Sequence, residues 1–103
     1  MSGRYEKVLD WGLGVVLFVD YTTLRGGVVD YSLALLLKEI DGVKTIRVYD
    51  GAHGFNEMHR YGRTIGRQQG VRVHHGTLGE GMNAAIATIE ASYVAMIEGW
   101  RGA

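Results

Sequence analysis

Met82, Ile86, Ile89, Tyr93, Met96, Ile97 and Trp100 step by three or four residues through the last part of the chain. That spacing predicts an amphipathic helix over Gly81–Trp100, about 30 Å long. Just ahead of it, Thr77 is placed to cap the helix, and Glu80, three residues on, completes a capping box. In a chain of 103 residues an apolar stripe of this length must cover something. Either it packs across a sheet of the same chain, or it pairs with a second subunit through Tyr93, Met96, Ile97 and Trp100.

The segments upstream read mainly as short strands. "VVLFVDYTTL" (Val15–Leu24) is β-branched and aromatic and is closed by Gly26-Gly27, which suits a buried strand. "KVLDW" before it is placed to pair with it as a hairpin. From Val29 the period changes: Val29, Leu33, Leu36, Leu37 and Ile40 fall at helical spacing, and Asp41-Gly42 then supplies a helix stop. Three further strands follow at Lys44–Asp50, Phe55–Tyr61 and Val71–His75, separated by the glycine-rich loops Gly51–Gly54 and Gly62–Gly70. The expectation is a single α+β domain over residues 1–103. Its small antiparallel sheet has three to five strands, with two helices on one face, in the order β(β)-α-β-β-β-α.

Composition narrows the function classes. A chain of this length buries roughly 60–70% of its unfolded surface without needing staples. There is no cysteine, so disulfides and thiolate metal sites are excluded. The apolar runs "VVLFV" and "LALLL" fall far short of the roughly 20 residues that span a bilayer, so no membrane partner is expected. The N-terminus has no charged-then-apolar leader pattern, which makes the cytoplasm the expected compartment.

The formal net charge is zero, but it is unevenly spread. Residues 43–75 hold six basic side chains against Asp50 and Glu57, and all four histidines. Both flanks are acidic. The local pattern leaves room for a modest anionic partner such as RNA, and equally for a solvated basic face.

The chemistry-bearing side chains concentrate in "YDGAHGFNEMHRYGR", Tyr49–Arg63. Alternation along a strand puts Glu57 and His59 on one face with Phe55 and Tyr61, and Asn56, Met58 and Arg60 on the other. A carboxylate beside an imidazole fixes its tautomer and suits acid–base work. The same pair, joined by His53, His74 or His75, is a candidate metal set, although no HExxH or other strict metal spacing is present. A cross-strand polar pair on a wet face has the same pattern. His53, flanked by glycines, sits on a loop where a reactive group would be exposed. The Gly76–Gly81 run matches neither a P-loop nor GxGxxG, so no cofactor is expected from it. Arg60, Arg63, Arg67 and Arg72 are the candidate phosphate-holding side chains.

Two segments, "DGAHG" and "VRVHHGTLGEGMNAAI", resemble the G-[ST]-H and V-P-x-H…G-T-L stretches of the HicA family of small bacterial toxins. The likeness spans roughly Val29 to Ile89, with Ala52 standing where the family has Ser or Thr. The resemblance implies a double-stranded-RNA-binding-like αβββα frame and messenger-RNA cleavage, with His53 as the catalytic histidine and His59 or His74 as a secondary candidate. Three functional readings follow. One is an interaction module, a homodimer through the last helix. Another is a HicA-like RNA-binding protein or metal-independent ribonuclease using His53. The third is a small metal or acid–base enzyme using Glu57, His59 and His74.

Overall fold

The computed structural model describes all 103 residues. Seven strands precede a single helix: β1 (Ser2–Asp10), β2 (Val15–Leu24), β3 (Gly27–Glu39), β4 (Gly42–Asp50), β5 (Asn56–Gly62), β6 (Gly66–Arg67), β7 (Val71–His74) and α1 (Leu78–Arg101). β1 to β5 form an antiparallel meander. The free side of β5 is shared by β7, against Asn56–Met58, and β6, against Tyr61 and Gly62.

The expected β(β)-α-β-β-β-α order is therefore incorrect. The chain has one helix rather than two, and seven strands rather than three to five. The error lies in β3. Its run of leucines satisfies both periods, but the period of two is the one used: Tyr31, Leu33, Leu35 and Leu37 are all buried. Val29 and Ile40, which the helical reading needed inside, are exposed. Both flanking turns are hairpin turns. Arg25 and Gly26 have φ of 53° and 81°, the two successive positive values that a tight hairpin following the strand twist requires. At the other end β3 pairs with β4 from Glu39↔Gly42 onward, so the Asp41-Gly42 signal turns a hairpin instead of stopping a helix. With β2 and β4 bonded along both its edges, β3 gains a full ladder that an isolated helix could not match.

The last helix forms as its spacing predicts. Thr77 caps it: its Oγ1 accepts from the Glu80 amide (3.1 Å) and its own amide donates to Glu80 Oε1 (3.0 Å). These bonds hold the Glu80 carboxyl below the usual range. α1 lies across the chain's own sheet. Ala85, Ile89, Met96, Ile97 and Trp100 close the core over Leu17, Val19, Leu33, Leu35, Leu37, Tyr49 and Met58. The helix end is tied down where the Arg63 amide donates to the Trp100 carbonyl (2.9 Å) and the Arg63 guanidinium lies 5.4 Å from the Trp100 ring centre. Of the two ways to cover the apolar stripe, the chain uses its own sheet. No helix is long and apolar enough to cross a membrane.

One face of the sheet is thus buried beneath α1. On the other, register aligns a single row of side chains across five strands: Asp20 on β2, Ser32 on β3, Asp50 on β4, Glu57 on β5 and Arg72 on β7. That row carries the site.

Candidate functional site

The site is built at the start of β5, where neighbouring residues point to opposite faces. Asn56 points toward α1 and is 1% exposed. Its Oδ1 accepts the Tyr31 hydroxyl (2.7 Å), and its amide donates toward the carbonyls of His74, Gly76 and Thr77, each at 3.2 Å. One side chain thereby fastens the end of β7 and the start of α1 to β5. Gly81 packs directly on the Asn56 amide, where a Cβ would collide with it. Burial, with Asp50 and Tyr49 nearby, pushes the Tyr31 hydroxyl up to about 12. Between pH 10 and 12 the folded chain holds a proton that the unfolded chain releases. Stability is therefore complete below pH 10 and declines as pH rises toward 12. Thermal melts across that window are expected to show this decline, and Tyr31→Phe to flatten it.

Glu57 and His59 point to the opposite face, where Asp50 lies directly across from Glu57. Residues on an uncovered sheet face are ordinarily wet, yet Glu57 and His59 are 9% and 8% exposed. The segment Arg67–Gly70 covers them. Gly70 comes so close that a Cβ there would lie 2.5 Å from the Glu57 carboxyl carbon, so the lid fits because it carries no side chain at that point. The backbone of the lid is fixed as well: the Gln68 amide donates to the Arg60 carbonyl (2.8 Å).

His59 sits at the centre. Its Nδ1–H donates to the Gln68 carbonyl (3.1 Å), which leaves the lone pair of the neutral ring on Nε2. Nε2 faces three groups: Glu57 Oε1 at 2.9 Å, Arg67 Nη2 at 3.2 Å and Asp50 Oδ2 at 3.8 Å. These contacts cannot all be satisfied at once. A neutral Nε2 accepts from Arg67 but then meets the carboxylate lone pair to lone pair. A protonated Nε2 donates to Glu57 but then faces the Arg67 N–H. The donor atoms of Asp50, Glu57 and His59 all lie within 4.8 Å of one another. His53 stands at the mouth, 68% exposed at its side chain, with Nδ1 3.5 Å from Glu57 Oε1. A groove of about 350 Å³, lined by Asp20, Asp30 and Ser32 among others, reaches the cluster at Asp50.

The expected site residues separate into groups. Glu57, His59 and His53 come together. His74 does not join them: it pairs with Asn56 and packs at Gly76 beside the helix cap. Of the arginines, Arg67 reaches His59, and Arg72 lies over the Phe55 ring at 4.9 Å from its centre, close to the mouth. Arg60 is exposed opposite Arg47, and Arg63 is at the far end of β5 against Trp100. The four therefore do not form one continuous basic track. Met96, Ile97 and Trp100 are buried within the chain, and the Tyr93 hydroxyl donates to Asp10 Oδ2 (3.2 Å). The apolar surface expected to form a dimer interface is largely used internally.

Sequence reasoning missed Asp50 and Asn56 as site-forming residues. Asn56 was legible in principle, since an asparagine on the apolar face of a strand demands buried partners. Asp50 was not: closing the loop Gly51–Phe55 symmetrically sets Asp50 opposite Asn56, one residue off the observed pairing with Glu57.

No protein-family model matches the chain, and no curated protein or solved structure matches it significantly.

Proposed function

We propose that this is a divalent-metal-binding protein whose centre is the Asp50–Glu57–His59 pocket. The observation that carries the reading is the frustrated contact at His59 Nε2. With the other ring nitrogen committed to a backbone carbonyl, a neutral Nε2 and the Glu57 carboxylate set two lone pairs against each other at 2.9 Å. That carbonyl contact is the outer-shell bond by which proteins orient metal-ligating histidines. An ion about 2.1 Å from each of two ligands at a right angle holds them about 3 Å apart, close to the His59–Glu57 separation. Asp50, whose Oδ2 lies 3.8 Å from His59 Nε2, completes the set with a small inward movement. One imidazole with two carboxylates suits ions such as Mn²⁺ or Zn²⁺.

The cluster opens to solvent at the groove beside Asp50 and at the His53 mouth. A divalent ion held there supplies Lewis acidity and a water acidified toward neutrality, which is the chemistry of metal-assisted hydrolysis. In that role Glu57 and Asp50 neutralise the ion, the Gln68 carbonyl holds the imidazole in its tautomer, and exposed His53 is the side chain available to exchange a proton with solvent. The interaction-module reading has lost the free apolar helix surface that motivated it. The four arginines invoked by the RNA reading lie apart from one another.

Calorimetric titration of protein freed of metal by chelation tests the proposal. One ion per chain is expected, with a micromolar or tighter dissociation constant for Zn²⁺ or Mn²⁺. Affinity should weaken on acidification, because a proton competes for Nε2. No saturable binding of either ion at neutral pH would refute it.

A further inference from the structure

The proposed ligand set has a guanidinium lodged in it, and the fold around that guanidinium is specific. β6 is only two residues long, held by Tyr61↔Arg67 and Gly62↔Gly66, with Gly66 at a φ of 73° making the turn. The next residue, Gln68, is fixed by its amide on the Arg60 carbonyl and by its carbonyl on His59 Nδ1. The Arg67 backbone is therefore anchored on both sides. Its side chain is otherwise exposed, yet it returns to put Nη2 3.2 Å from His59 Nε2. It forms no ion pair with Asp50 or Glu57, so its polar contact in the cluster is with His59 Nε2, one of the three ligand atoms a metal ion would need.

We infer that Arg67 is the pocket's internal competitor for cations: its guanidinium caps the His59 lone pair while no ion is bound and must leave for an ion to enter. This inference rests on the metal-binding reading of the same pocket. The exchange asks little of the fold, since an exposed side chain rotates on an anchored backbone and no loop has to open. Its electrostatic sense is simple. Removing a positive charge beside an incoming cation, together with the donor that occupies its ligand atom, tightens binding. Were Arg67 instead a positioning residue that orients His59 for the metal, its removal would loosen binding. The two roles therefore predict opposite signs.

The experiment titrates Zn²⁺ and Mn²⁺ into wild type, Arg67→Gln and Arg60→Gln. Arg60 is the control: it carries the same charge one strand away but lies on the helix-facing side of β5, opposite Arg47. Arg67→Gln is expected to bind about tenfold more tightly than wild type, a coupling of ordinary size between two linked sites, while Arg60→Gln binds as wild type does. Equal or weaker binding by Arg67→Gln, with wild type still binding, overturns the inference and leaves the metal centre standing. Equal tightening by both variants also overturns it, since the effect would then be bulk charge. Binding by Arg67→Gln but not by wild type supports the competitor role and refutes metal binding by the native chain. Absence of binding in all three proteins overturns both.

Discussion

Replacing Asn56 by leucine is expected to destabilise the fold by about 4 kcal/mol, a large share of the total for a domain of this size. Leucine keeps the branched outline, somewhat enlarged, and would suit a hydrophobic position. The loss comes instead from what it leaves unpaired: the Tyr31 hydroxyl and the carbonyls of His74, Gly76 and Thr77, brought together around one buried amide. Each buried polar group deprived of its partner costs roughly 1–3 kcal/mol. The melting temperature should fall by about 15–25 °C. Tyr31→Phe, which removes one bond and strands only the Asn56 oxygen, should cost about a third as much. Chemical denaturation of both variants measures the difference, and a loss below about 1 kcal/mol for Asn56→Leu would show that the amide is not the junction between β5, β7 and α1.

The second large effect concerns the pocket. His59→Ala and Glu57→Gln are each expected to weaken binding of Zn²⁺ or Mn²⁺ by more than about 100-fold, since loss of even an outer-shell partner costs 10–100-fold. Their effects on folding should differ in kind from that of Asn56→Leu. Glu57→Gln keeps the shape of the group beneath Gly70 and removes the lone-pair conflict at His59 Nε2, because the amide introduced by the substitution can donate to it. The apo protein should therefore be no less stable than wild type, even as metal affinity collapses. A variant that gains or keeps stability while losing binding marks a site shaped for a ligand at the expense of the empty fold. Parallel loss of both would mean that the cluster is a structural polar network.

How far these features could be read from the residues depended on whether the signal was local. The last helix was legible because Met82, Ile86, Ile89, Met96 and Trp100 admit only one period, and Thr77 with Glu80 marks its start. β2 was equally plain from its β-branched run. β3 was not, because "SLALLLKEI" scores on both periods and the deciding facts lie outside it: the two hairpin turns, and the partners waiting on β2 and β4. The Glu57–His59 contact followed from alternation alone. What alternation could not supply was burial. The two residues leave solvent only because Arg67–Gly70 folds over them, and that lid has no apolar pattern to announce it. His74 stands apart from the pair for a related reason. It pairs with Asn56 rather than with Glu57, and the bulge between those two residues is set by the whole sheet rather than by any stretch around His74.

The central claim is that Asp50, Glu57 and His59 hold one metal ion together. The most direct measurement is an anomalous-difference map from crystals of the protein loaded with Mn²⁺ or Zn²⁺. The account predicts one strong peak per chain, about 2.0–2.3 Å from His59 Nε2 and from carboxylate oxygens of Glu57 and Asp50, with the Arg67 guanidinium turned out of the pocket. A loaded crystal with no peak at this cluster, or with its ion bound elsewhere and Arg67 still on His59, would contradict it.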